Sequence, residues 1–208
     1  MENSGVRIRH SAPLLFSLLN SESGLHMSST LHDLRARIAG IDRELVAALA
    51  TRSRLGPATQ PSADKERDRL AARVQAAYAA QVSTFCPASS AAGNSAACAA
   101  ADREVVAAVL QRLRIVLAIA KAKAAGETPR FRALVAARDA AGIEQAITQP
   151  AVEEQVVARA VAAAREQHAA GLPANFPDRV AAVYRNWIIP LARSIQVETL
   201  LAEAQKTK

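Results

Sequence analysis

The residues that ask for a chemical explanation are cations placed inside an apolar helix. The stretch RLRIVLAIAKAK, residues 112–123, is greasy enough to be buried, yet it carries Arg112, Arg114, Lys121 and Lys123. At about 100° per residue, Val105, Val109, Val116 and Ile119 fall within roughly 60° of Arg112 and define a packed stripe. Lys123, three turns on, returns to within about 20° of Arg112, whereas Arg114 and Lys121 point to the opposite side. Two cations therefore face the core, about 16 Å apart along the axis, and two face water. A buried unpaired ion costs several kcal/mol, so Arg112 and Lys123 need anionic partners, either carboxylates of the chain or a bound anion.

Other polar residues share apolar faces. Arg35 sits between Leu34 and Ile38, Glu153 follows Pro150 in the first turn of a helix, and Gln196 interrupts a face formed by Ile189 and Ala192. Singly, each has a plain structural role: a solvated arginine, a carboxylate favouring a helix N-terminus, an amide bonded to a buried carbonyl. Jointly they describe a pocket of cations, one carboxylate and amides, with no His, Ser or Cys poised as a nucleophile. Such a pocket suits a small dianion and acts by orientation and electrostatics.

The elements that must carry these residues are all helices. The apolar half of the chain is mostly Ala, Val, Leu and Ile in a 3.6-residue period, Gly is scarce, and no hairpin signal separates alternating runs. The fold class is all-α, a single-domain bundle of six to seven helices with long core helices. A first helix is expected over 30–55, capped by Ser28, Ser29 or Thr30 and stopped at Gly56-Pro57, and a second over 63–82. After a Pro/Ser/Gly-rich loop at 83–97, a central helix covers 98–125. Short helices follow near 130–140 and 142–148, then one opened by Pro150 and closed by Gly171 and Pro173. A final long helix over 177–204 is kinked at Pro190. DRELVAALATRSRL at 42–55 and DREVVAAVLQRLRI at 102–115 agree at eight of fourteen positions, an internal resemblance with no solenoid period behind it.

A net charge of +7 and a pI near 10.1 suit an anionic partner. The basic residues are spread over every helix and interleaved with acids, without a basic block or aromatic stacking set, which argues against nucleic acid. No apolar run approaches the ~20 residues that span a bilayer. Residues 1–28 read as a disordered leader or poor signal-like segment, with Met27 a second candidate start, ahead of a helical domain over 29–208. Cys86 and Cys98 without clustered His make no metal site, and whether they pair is left open by spacing alone.

LHDLRARIAGIDRELVAALATRS, RLRIVLAIAKAKA, GIEQAITQPAVEEQV and VYRNWIIPLARSIQVETLL together resemble the all-helical chorismate mutases of the fungal and plant type. The resemblance covers the first helix and nearly everything from Asp102 onward. It implies conversion of chorismate to prephenate by an intramolecular Claisen rearrangement, in phenylalanine and tyrosine biosynthesis, with no cofactor or metal. It also implies a cytoplasmic homodimer that engages neither membrane nor nucleic acid. Arg35 and Arg112 would hold the two substrate carboxylates, Lys123 would donate to the ether oxygen, Glu153 would accept from the ring hydroxyl, and Gln149 would assist beside Lys123. Gln196 departs from the fungal and plant pattern, which has Glu there, and an amide donates at any pH. Ala192 replaces a hydroxyl residue of the family, and Arg52 is expected to be structural. The segment 56–101 is a shortened form of the family's insert, so feedback by aromatic amino acids is expected to be weak or absent. A pyruvate lyase acting on isochorismate, a non-catalytic helical adaptor and a secreted mutase are the competing readings.

Overall fold

Helices are the only regular elements among the described residues of the computed structural model, which are 31–55, 69–85, 95–126, 129–167 and 171–206. They run in the order α1 (Leu31–Arg54), α2 (Arg69–Phe85), α3 (Ser95–Gly126), α4 (Pro129–Ala137), α5 (Ala140–Ile147), α6 (Pro150–Arg165), α7 (Phe176–Val183), a π-helical segment (Tyr184–Ile188) and α8 (Ile189–Lys206). The all-α class expected from periodicity is the observed one. Residues 1–30, with the expected leader and caps, Gly56-Pro57, and residues 86–94 of the expected loop lie outside the described residues.

The long pair α1 and α3 forms the centre, and α1 packs chiefly on α3. In α1, Leu34, Ile38, Ile41, Leu45 and Leu49 recur at helical spacing and are buried. In α3, Val105, Val109 and Val116 are buried and Ile119 is half-buried, while Arg114 and Lys121 are exposed, as the angular reading requires. Around this pair, α6 packs on α1 and α7, and α8 packs on α3 and α5.

Several helix ends differ from expectation. The second helix is described from Arg69 and extends through Phe85, and the central helix is described from Ser95, so 83–85 and 95–97 are helical where a loop was expected. The Pro150 helix has proline in its first turn as expected but ends at Arg165; Gly171, with φ of 85°, stands in the connection to α7. Where a kink at Pro190 was expected, the turn before the proline is π-helical. Proline has no N–H and its ring crowds the carbonyl four residues back, and the backbone widens over Tyr184–Ile188, with the Ile189 N–H donating to Tyr184 O. That widening carries Tyr184, Trp187 and Ile188 into the core.

Between α4 and α5, Asp139 caps α5 by accepting from the Gly142 N–H at 2.9 Å. A Cβ at Gly142 would collide with the Asp139 carboxylate and Leu134, which is why glycine precedes the buried Ile143. Cys98 is a buried free thiol 3.7 Å from the Leu55 carbonyl oxygen; Cys86 lies outside the described residues.

Candidate active site

Arg112 is 4% exposed and its counter-charge is internal. Its Nε–H donates to Asp42 Oδ1 of α1 at 2.8 Å, and the guanidinium lies over the Tyr184 ring, 5.7 Å from the centroid. The Tyr184 hydroxyl donates to the same Asp42 oxygen at 2.9 Å. Burial pushes the Tyr184 phenol well above its usual range; the nearby Asp42 charge adds to the rise, Arg112 and Arg159 oppose it, and the hydrogen bond donated to Asp42 adds again. Tyr184 therefore stays a neutral donor.

The same constellation occurs a second time. Arg52 Nε–H donates to Asp102 Oδ1 at 2.5 Å, and the Tyr78 hydroxyl donates to that oxygen at 2.5 Å. As α1 runs from Asp42 to Arg52, its partners on α3 run back from Arg112 to Asp102, so the two helices are antiparallel. The fourteen-residue resemblance thus has a physical content: each copy supplies an Asp and, ten residues on, an Arg, and the copies cross-pair. Arg52 is structural in this sense, as expected.

A third cluster joins α5, α6 and α8. Glu153, half-buried in the first turn of α6, receives Arg193 Nη2 at 3.0 Å from both carboxylate oxygens, and Arg193 Nη1 lies 3.5 Å from Glu144 Oε1. Its neighbour Glu154 turns outward to Arg185, whose hydrogen bond and charge hold the Glu154 carboxyl below its usual range. Three residues beyond Arg193, Gln196 is half-buried and its Nε2 donates to the Val116 carbonyl of α3 at 3.3 Å. Val116 lies one turn beyond Arg112 and two turns before Lys123 on the same stripe.

Of the residues singled out from sequence, Arg112 joins α3 to α1 and the π-helical segment, Glu153 joins α6 to α8, and Gln196 joins α8 to α3. Gln196 makes the structural bond to a carbonyl that an amide on an apolar face can make, and one N–H of its –NH₂ serves that bond. Arg35 is exposed on α1, and Gln149 is exposed at the N-cap of α6 without a side-chain capping bond. The Lys123 side chain lies outside the described residues. A surface depression is lined by Ala141, Glu144, Gln145, Thr148 and Pro150, none of which was singled out. Among the described residues, no three His, Cys, Asp or Glu side chains cluster as a metal site. No described helix is long and apolar enough to cross a membrane.

Sequence reasoning missed Asp42, Tyr184 and Arg193. The Asp–Arg spacing of ten shared by the two similar segments was the available signal for Asp42. Arg193 recurs one turn before Gln196, a spacing that puts both on one side of α8.

These helices and their order define the class: an all-α bundle with the chorismate mutase fold. A chorismate mutase from Candida albicans, solved in complex with L-Trp, superposes with a TM-score of 0.68 at 16% identity, over 85% of this chain and 92% of that one. The chorismate mutase type II profile matches residues 95–197, from the start of α3 into α8, and the chain belongs to that family. Its relatives include a chorismate mutase of Emericella nidulans, 29% identical over 125 residues, 56% of this chain and 45% of that protein. A chloroplastic chorismate mutase 1 of Petunia hybrida is 32% identical over 52% of this chain and 37% of its own length. The chain thus spans less than half the length of the curated relatives it matches.

Proposed function

We propose that this protein is a chorismate mutase that converts chorismate to prephenate, serving phenylalanine and tyrosine biosynthesis. The observation that carries the reading is the buried Arg112 on α3, with Gln196 of α8 bonded to the backbone carbonyl of Val116, one helical turn beyond it. A guanidinium offers five N–H donors, and the Asp42 contact engages one of them at Nε; a substrate carboxylate would take the Nη edge. Arg35, at the start of α1, would hold the second carboxylate.

In the rearrangement one C–O ether bond breaks and one C–C bond forms within a single molecule, and no proton or electron pair leaves it. The protein needs only to hold the enolpyruvyl arm over the ring and to present donors where the ether oxygen gains charge. Lys123 and Gln196 would be those donors, Glu153 would accept from the ring hydroxyl, and Gln149 would support Lys123. No cofactor enters this scheme. A helical homodimer acting in the cytoplasm completes the reading, with feedback by aromatic amino acids weak.

The test is incubation of purified protein with chorismate and, separately, with isochorismate. Prephenate from chorismate is expected; pyruvate released from isochorismate without any prephenate from chorismate would assign the chain to the lyase reaction instead.

A further inference from the structure

Arg193 has no role in the scheme above, yet it is the residue that connects two of its members. A single nitrogen, Nη2, lies 3.0 Å from both oxygens of Glu153, which holds that carboxylate against α8. Nη1 reaches toward Glu144 at 3.5 Å, so one guanidinium ties α8 to α5 and α6 together. The side chain is 28% exposed and its Nε is buried without a hydrogen-bond partner, unlike a solvated surface arginine. Gln196 stands three residues on, one turn along the same helix, and is anchored to Val116 of α3. The neighbouring pair Arg185–Glu154, exposed on both sides, shows what an ion pair looks like here when it only decorates the surface.

We propose that Arg193 is a positioning residue for the mutase reaction. By gripping Glu153 from α8, it sets the distance between the group that accepts from the ring hydroxyl and the group that donates to the ether oxygen. Both ends of one substrate are then met by side chains referred to one rigid helix. A misplacement of a positioned group by about 1 Å can cost on the order of a hundredfold in rate. The inference rests on the reading of Glu153 as the hydroxyl acceptor.

The experiment is steady-state kinetics of chorismate conversion by the full chain and by Arg193→Ala, Arg193→Lys, Glu153→Gln and the double variant Arg193→Ala/Glu153→Gln, each checked for folding by circular dichroism. Arg193→Ala is expected to lower kcat by about ten- to a hundredfold, with Arg193→Lys intermediate. In the Glu153→Gln background the same change should cost almost nothing further, because its effect runs through that carboxylate. Equal losses in both backgrounds, or a lowered melting temperature with unchanged kcat, would overturn the proposal. Should Arg193→Ala fail to fold, Arg193→Lys carries the same comparison. An inactive wild type would sink the mutase reading itself, and a fully active Glu153→Gln would sink the role of Glu153; each is distinguishable from a failure confined to Arg193.

Discussion

Arg112 and Asp42, seventy residues apart in sequence, meet at 2.8 Å in the core between α1 and α3. A guanidinium so placed is pre-aligned, because its plane is fixed by the carboxylate on one side and by the Tyr184 ring on its face. Arg112→Lys keeps the charge and removes the fork. Its kcat/KM for chorismate should fall about a hundredfold with the fold retained, since a point charge cannot hold both Asp42 and a substrate carboxylate in fixed geometry. Steady-state kinetics alongside circular dichroism check this.

The quasi-equivalent pair, Arg52 and Asp102, lies in the same core and outside the proposed site. Both partners are buried, Arg52 at 1% and Asp102 at 3% exposure. Arg52→Met leaves a buried carboxylate with its tyrosine partner alone and should cost about 3–5 kcal/mol in urea unfolding. Turnover at a temperature where the variant is folded should stay within about twofold of wild type, because additivity holds for sites without shared partners.

Tyr184 makes an alkaline prediction. Its phenol is held protonated in the folded chain well above the usual range, whereas in the unfolded chain it ionises near pH 10. Above about pH 10 the folded state binds the extra proton, so its contribution to stability falls as pH rises, by up to ~1.4 kcal/mol per unit, until the folded phenol itself ionises. Tyr184→Phe should lose about 1.5–3 kcal/mol at neutral pH, the worth of a hydrogen bond to a charged group, and should show a shallower decline above pH 10. Unfolding titrations at pH 7 to 11 measure both.

The proposed role of Gln196 makes a prediction about pH. An amide donates whatever the pH, so wild-type turnover should show no alkaline loss from this residue between about pH 5 and 8. Gln196→Glu must be protonated to donate, and its rate should fall by about tenfold per pH unit above its pKa. A profile of kcat for the two proteins, taken side by side, is the check.

How far the sequence could be read follows from what kind of information each feature needs. The burial of Arg112 and the exposure of Arg114 and Lys121 need only helical period, and they were legible. The helices themselves were legible for the same reason, and the proline at the start of α6 was legible from its preference for a first turn. Asp42 as the partner of Arg112 needs the antiparallel contact of α1 with α3, which a linear pattern does not contain. The π turn before Pro190 needs knowledge that Trp187 and Tyr184 must both enter the core, a requirement of packing. Arg193 was passed over because in a chain rich in arginine one more on an amphipathic helix reads as solvated, and its partners Glu144 and Glu153 lie on two other helices.

The central claim is that cations turned toward the interior of this bundle hold a doubly negative substrate in a reactive shape. Single-turnover conversion of chorismate by wild type and Lys123→Ala, with the product identified by chromatography, tests it most directly. Wild type should form prephenate about a millionfold faster than the uncatalysed reaction, some 8 kcal/mol of barrier, and Lys123→Ala should lose at least a hundredfold of that. Absence of prephenate with wild type, or near-normal turnover in Lys123→Ala, would contradict it.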